Sequence, residues 1–287
     1  MTDPNNDLLK RIEGNYFKLS KGQKRIADYI FQNYDKVAFM TASTLGDIVG
    51  VSESTVVRFA NALGYDGYPK LQKGLQESIK TKLTTVQRFE MSKDLDIGES
   101  TLKKIMTSDI DNIRKTLEMI DEHVVQDIVM SLHDSKKVFV IGNRSSSVIA
   151  NYLGFYLNFI VDDVHVIPSG PNEAFDQLIN ISKEDTLIVI SFPRYSKKTF
   201  DVVNFAKSQG ATIIGLTDSS MSPLVPMVDH CLFAKYNMNT FIDSLVAPMS
   251  LINALIIALS INEKDRVEEK FQKLETIWDE YKVYNPK

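Results

Sequence analysis

Residues 40–63, MTASTLGDIVGVSESTVVRFANAL, constrain this chain more than any other stretch, because they force two short helices to meet across a turn of set length. Leu45, Ile48 and Val49 give a short apolar face, Gly50 breaks that helix, and Val51 precedes a second apolar series, Val56, Phe59, Ala60 and Leu63, at helical spacing. Ser52 is placed to cap the second helix. Ser52, Glu53, Ser54, Thr55, Arg58 and Asn61 then lie largely off the buried face, where a recognition helix carries the side chains that meet bases and phosphates. The layout is that of a helix-turn-helix and points to operator DNA as a partner.

The rest of the first 80 residues supports that head. Residues 20–34 place Ile26, Ala27, Ile30, Phe31 and Tyr34 on one helical face behind Ser20 as cap, and Lys21, Lys24 and Arg25 on the same helix are candidate phosphate partners. A turn, GYDGYP, leads to a further helix through Leu71, Leu75 and Ile79. The formal net charge of −4 is unevenly divided. Residues 1–90 hold 13 Lys and Arg against 10 Asp and Glu, an excess of +3, and the remainder holds 20 against 27, or −7, so only the first part has the sign that favours a polyanion.

Residues 81–105 are polar and weakly patterned and read as a connector, which separates a domain at 1–80 from one at 106–287. Helical period returns at 102–132. Five short apolar runs follow, at 138–141, 164–167, 187–190, 212–216 and 231–233, alternating with helical stretches at 147–160, 172–181 and 197–209 and a shorter piece near Leu224. The economical fold is α/β, a doubly wound parallel sheet in flavodoxin-like order, behind an all-α helix-turn-helix domain. Residues 240–261 are almost wholly apolar and must be buried, against their own sheet or against a partner subunit.

Composition narrows the class. No run approaches the roughly 18 apolar residues of a membrane span, and the polar start lacks an apolar signal core, so a soluble, cytoplasmic protein with no membrane partner is expected. The single cysteine, Cys231, excludes an internal disulfide and reads as a packed thiol. His123, His133, His165 and His230 are dispersed without metal-ligand spacing, and neither metal nor cofactor is expected.

The phrase GVSESTVVRFANALGYDGYPKLQKGL, followed by the alternating half, resembles the RpiR family of bacterial transcriptional regulators, with an N-terminal helix-turn-helix and a C-terminal sugar isomerase (SIS) domain. The resemblance covers nearly the whole chain. It implies homo-oligomers, a homodimer or a dimer of dimers, that bind operator DNA and sense a phosphosugar-type metabolite, with repression slightly favoured over activation. Two turns depart from the SIS pattern. Gly142-Asn143-Arg144-Ser145-Ser146 puts Arg144 where a second glycine is usual, and Ser191-Phe192-Pro193-Arg194-Tyr195-Ser196 replaces a central Ser-Gly by Pro193-Arg194.

In flavodoxin-like order the first and third strands are neighbours, and the crevice at their carboxyl ends is the usual small-molecule site. Arg144 and Arg194 would face that crevice beside two helix starts, a combination that selects for an anion, either a phosphate or a carboxylate. Ser145, Ser146, Ser191, Tyr195 and Ser196 would add hydroxyl donors. Two other uses stand beside this one: the serines as helix caps, and either arginine as half of an interface ion pair. Residues 169–172 and Thr217-Asp218-Ser219 are secondary candidates for the same crevice. The competing function is a sugar-phosphate isomerase, for which Glu173 and His165 are the nearest candidate bases, and an enzyme is not the expected outcome.

Overall fold

Residues 4–79, 85–92, 100–168, 173–236 and 242–284 are described by the structure, a computed structural model. The chain divides into two units, Met1–Lys93 and Asp94–Lys287. The first unit is helical: α1 (Pro4–Asn15), α2 (Lys21–Val37), α3 (Ala42–Val49), α4 (Glu53–Ala62), α5 (Tyr68–Ile79) and α6 (Thr85–Ser92). Ser20 caps α2 as expected, its hydroxyl accepting from the Gln23 N–H while the Gln23 side chain accepts from the Ser20 N–H. The core joins Ile26, Ala27 and Ile30 of α2 to Leu45 and Val49 of α3, Val56, Phe59 and Ala60 of α4, and Leu71 and Leu75 of α5.

Helix α5 also fastens the link between α2 and α3. The buried Tyr68 hydroxyl and the Gln72 amide both donate to the Met40 carbonyl, each at 2.9 Å, and the Gln76 amide donates to the Ala38 carbonyl at 2.9 Å. These carbonyls lie past the end of α2, where helix geometry leaves them without partners. Burial pushes the Tyr68 phenol well above its ordinary pKa, so it remains a donor at any physiological pH.

In the second unit α7 (Thr101–Leu117) and α8 (Glu122–Asp134) precede β1 (Val138–Gly142), α9 (Ser146–Leu157), β2 (Val164–Ile167), α10 (Glu173–Gln177), β3 (Thr186–Ile190), α11 (Lys197–Ser208), β4 (Thr212–Thr217), β5 (His230–Phe233), α12 (Val246–Asn262) and α13 (Lys264–Glu280). The sheet is wholly parallel in the order β2-β1-β3-β4-β5, the flavodoxin-like order expected from the alternation. Because helices cover both faces, every residue of β1 and β3 is buried. Alternate residues serve opposite layers. Val138, Val140, Ile188 and Ile190 pack with residues of α8, α9 and α12, whereas Phe139, Ile141, Leu187 and Val189 pack with residues of α10 and α11.

Three helical expectations are revised. The helical stretch 102–132 is two helices, broken after Leu117. The piece near Leu224 is a 3-10 turn, Val225–Met227, and the described part of the 172–181 stretch forms only the five-residue α10. The apolar helix at the end of the sheet starts, in the described residues, at Val246. It faces its own sheet through Leu251, Ile252, Leu255 and Leu259, and leaves Ile257 and Ile261 exposed. Among the described residues no single helix is long and apolar enough to cross a membrane.

Cys231 on β5 is half-buried, and burial, with the nearby Asp218 charge, pushes its thiol up to about 12. At pH 8 the thiolate fraction is then roughly one in ten thousand. A disulfide reagent at pH 8 is expected to titrate Cys231 at least ~100-fold faster in denaturant than in the folded protein; equal rates would contradict the packed-thiol reading.

Candidate DNA interface and anion pocket

In the first unit α3 ends at Gly50, whose φ of +71° is the left-handed conformation that glycine adopts without strain. The Arg25 guanidinium reaches across from α2 and donates to the Gly50 carbonyl at 3.2 Å and to the Val49 carbonyl. Arg25 is therefore a structural clamp on the turn. Helix ends leave carbonyls that a cation satisfies well. Arg25→Ala is expected to destabilise the first unit by about 1–2 kcal/mol, read as a lower unfolding midpoint.

The outer face of α4 carries the residues singled out for DNA. Ser52, Glu53, Ser54, Arg58 and Asn61 are exposed, and Thr55 is half-buried. Ser52 occupies the cap position of α4, yet its hydroxyl makes no cap hydrogen bond; it is shared instead with the hydroxyls of Ser54 and Thr55, each at 2.9 Å. Arg58 lies back along the helix, donating from Nε to the Ser54 carbonyl at 3.2 Å. Asn61 accepts from the Gly67 N–H at 3.1 Å, so its amide oxygen serves the turn before α5. Beside Thr55 and Arg58, a concavity is completed by Ser20, Gly22, Gln23 and Val51, at the capped start of α2. Sequence reasoning missed this α2 start, although a capped helix opening Ser-Lys-Gly-Gln was visible as a place where backbone N–H groups meet an anion. Lys21 is exposed, and Lys24 stands 5.4 Å over the Tyr16 ring.

In the second unit a pocket of about 50 Å³, open to solvent, lies at the carboxyl ends of β1 and β3. Arg144, Ser145, Ser146, Ser191, Arg194 and Ser196 all line it. The turn after β1 is tight: a Cβ on Gly142 would stand 2.4 Å from the Ser146 carbonyl oxygen, so only glycine fits there. Arg144 and Arg194 have φ of +57° and +70°, the left-handed region that costs a non-glycine residue about 1–2 kcal/mol. The family pattern puts glycine at or beside both places, and the chain keeps the glycine-like backbone with arginines in it.

The capping explanation for the serines does not hold for two of them. Ser145 and Ser196 stand at the cap positions of α9 and α11, and neither side chain makes a cap hydrogen bond. Ser147, further on, donates to the Arg144 carbonyl at 2.6 Å. Tyr195 is turned away from the pocket. Its hydroxyl donates to Asp218 Oδ1 at 2.6 Å, and burial together with that carboxylate holds its pKa well above the ordinary value. Thr217 and Ser219 also donate to Asp218, at 3.2 and 3.3 Å. The Thr217-Asp218-Ser219 turn thus anchors the loop that carries Arg194. Tyr195 is not among the described lining residues and serves as an anchor, because a strand end offers a half-buried carboxylate partner 23 residues away in the chain. Residues 169–172 lie outside the described residues.

Among the lining residues that escaped the sequence reading are Asn143, Phe192, Thr199, Tyr236 and Asp243. The first three sit in or beside the turns already quoted. Asn143 donates to the buried Thr199 hydroxyl at 2.8 Å and ties the β1 turn to the first turn of α11. Tyr236 and Asp243 come from the segment between β5 and α12; Tyr236 carried no signal, and Asp243 falls in the stretch 240–261 read as one buried apolar element. Tyr236 stacks on Phe192 with ring centroids 4.7 Å apart and planes 13° apart. Asp243 adds a carboxylate, so the lining carries charges of both signs. His165 pairs with Asp163 at 2.7 Å and stacks on Phe139, and neither His165 nor Glu173 is among the described lining residues. Among the described residues no group of three His, Cys, Asp or Glu side chains is placed to hold a metal ion.

Known proteins share both halves of this architecture. Residues 6–82 match the family described as "Helix-turn-helix domain, rpiR family", and residues 131–258 match the SIS domain. The chain belongs to the RpiR family. A helix-turn-helix-type transcriptional regulator of Haemophilus influenzae is 28% identical over 233 residues, 79% of each chain. The regulator HexR of Pseudomonas aeruginosa is 26% identical over 232 residues, 79% of this chain and 78% of its own. Among solved structures, the sugar isomerase domain of an RpiR transcription factor from Sphaerobacter thermophilus superposes with a TM-score of 0.60 at 25% identity, covering 62% of this chain and 99% of that one. The Vibrio vulnificus NanR protein, complexed with ManNAc-6P, shares the fold at 21% identity and a TM-score of 0.55, covering 96% of this chain and 98% of that one. This RpiR-family member is a DNA-binding transcriptional regulator, and its SIS domain serves the regulator in place of an enzyme.

Proposed function

We propose that this regulator reads operator DNA through α4 and responds to an anionic, phosphosugar-type effector held between Arg144 and Arg194. The observation that carries the effector reading is the pair of arginines kept in left-handed backbone conformations at the tips of two adjacent turns. Strain of this kind persists where the surrounding structure imposes it for a purpose. Two guanidiniums beside the starts of α9 and α11, with the uncommitted cap hydroxyls of Ser145 and Ser196, offer charge-assisted donors to a phosphate or a carboxylate. The ManNAc-6P bound by the NanR neighbour is a ligand of this class.

At the DNA, Ser54, Thr55 and Arg58 face the major groove, and the α2 start at Ser20, Gly22 and Gln23 seats a backbone phosphate. Ser52 and Glu53 border that contact, and Asn61 supports it by holding the following turn. The working unit is a homodimer or a dimer of dimers. Val148 and Phe155 of α9 and Ile257 and Ile261 of α12 are exposed apolar side chains that a second copy would cover. Repression is the preferred sense, with effector and operator affinities coupled reciprocally.

The test is a thermal-shift screen of the full-length protein against N-acetylmannosamine 6-phosphate, glucose 6-phosphate, other sugar phosphates and small carboxylates, followed by operator footprinting with and without each stabilising compound. One compound should raise the melting temperature and change the footprint. A screen without any stabilising anion, or stabilisation that leaves the footprint unchanged, would remove the effector reading.

A further inference from the structure

Two described stretches, Lys235–Tyr236 and Ile242–Ser244, flank the segment that joins β5 to α12, and both have one side on the pocket and one on α7. On the pocket side stand Tyr236, stacked on Phe192, and Asp243. On the other side the Lys235 N–H donates to the Thr116 hydroxyl at 2.8 Å, and the Ser244 hydroxyl donates to Asp109 Oδ1 at 2.5 Å. Thr116 is buried and in turn donates to the Asn112 carbonyl at 2.8 Å. Asp109, Asn112 and Thr116 are spaced three and four apart, so one face of α7 holds both described stretches.

Asn112 sits in the middle of that face with a side-chain Nδ2 that is buried and has no hydrogen-bond partner. A buried amide donor without an acceptor is uncommon and calls for an explanation. An acceptor brought to it by a shift of either held stretch would supply one.

We propose that α7 is the sensor of the pocket's state: the Asp109, Asn112 and Thr116 face positions the Tyr236 and Asp243 wall, and it changes partners when that wall moves. Resting on the effector reading above, this makes Asp109 and Thr116 positioning residues for a site that they do not touch. The consequence for regulation follows from chain order, since α7 is the first described helix after the connector from the DNA-reading unit. A ligand that contacts Tyr236 or Asp243 in one arrangement of the wall and not in the other biases α7 by that difference in affinity. The physical basis is a hydrogen-bonded element with two sets of partners, one of them left unfilled in this arrangement.

Hydrogen exchange on the ligand-free, full-length protein tests the link. Tyr236→Ala is expected to speed amide exchange in α7 about tenfold relative to β3, and Asp109→Ala to do the same at residues 242–245. Asp109→Asn keeps an oxygen that accepts from Ser244 and should restore wild-type exchange, a rescue that general loss of stability would not produce. Asn112→Leu removes the unpartnered amide and should slow exchange in α7; faster exchange there would mean that the amide already serves this arrangement. In operator binding, Asp109→Ala should change the affinity of the ligand-free protein about fivefold or more, and Asp109→Asn should not. Unchanged α7 exchange in Tyr236→Ala, equal changes across the whole sheet, or unaltered operator affinity in Asp109→Ala would overturn the proposal. These readouts need no effector, so a failed phosphosugar screen would remove the effector reading alone and leave the α7 link to be decided by exchange.

Discussion

Replacing Arg144 and Arg194 together by alanine is expected to lower phosphosugar affinity by about 10²–10⁴-fold, because hydrogen bonds to charged groups contribute about 1.5–3 kcal/mol each. A general stability defect would be a trivial cause, and the backbone geometry supplies a control. Arg144 has φ of +57°, which disfavours any residue with a Cβ. Arg144→Gly therefore loses one ligand contact while relieving strain, a gain of about 0.5–1 kcal/mol after the extra freedom of glycine in the unfolded chain is allowed for. In a unit of this size that corresponds to a melting temperature about 1–4 °C higher. The two quantities move in opposite directions, affinity down and stability up. Calorimetry of binding and of unfolding on the same variant reads both, and a fall in stability with affinity intact would make Arg144 a structural residue with no ligand.

Arg58 and Phe59 are neighbours in sequence on opposite sides of α4, and their alanine variants should fail for different reasons. Phe59 is 0% exposed in a core with Leu45, Val56 and Leu71. Phe59→Ala leaves a cavity worth about 3–5 kcal/mol, most of what a small helical unit has to spare. Loss of operator binding in that variant should come with loss of helical signal from the first unit. Arg58 is exposed and bound only to its own helix, through the Ser54 carbonyl. Arg58→Ala should leave the unfolding midpoint within about 0.5 kcal/mol of wild type. Operator affinity should still fall by about 1–3 kcal/mol, roughly 5–150-fold, with a shallower salt dependence if the contact is to a phosphate. An Arg58→Ala protein that footprints like the wild type would remove α4 from the proposed groove contact.

Much of the pocket is legible in the sequence, since the tips of turns after buried strands are set by strand order. Once β1 and β3 are neighbours, the residues that follow Gly142 and Ile190 must share a crevice. Less legible were the side chains whose partners are distant. Arg25 sits among lysines at a helix start and looked like a phosphate ligand, but it caps carbonyls 24 and 25 residues away. Tyr195 stands between two lining residues and looked like a third, but its hydroxyl found Asp218, 23 residues on. Asn61 was counted with the groove face because helical spacing put it there, and its amide oxygen went to the Gly67 N–H.

Sequence alone determined the elements and their order: the two-helix head from Leu45, Val49, Val56 and Phe59, and the parallel sheet from five apolar runs separated by helical stretches. Hydrophobic periodicity is a local property, and burying a periodic face has few geometric solutions. The tertiary structure alone decided which polar side chains are spent on holding the fold and which face a ligand. The physical reason is that a buried or cornered polar group must take whatever partner the closed chain brings to it. Asp109 meets Ser244 across 135 residues, and Asn143 meets Thr199 across 56. No window of sequence contains both members of either pair, and the left-handed backbone of Arg144 and Arg194 was set in the same way, by the closure of the turns around them.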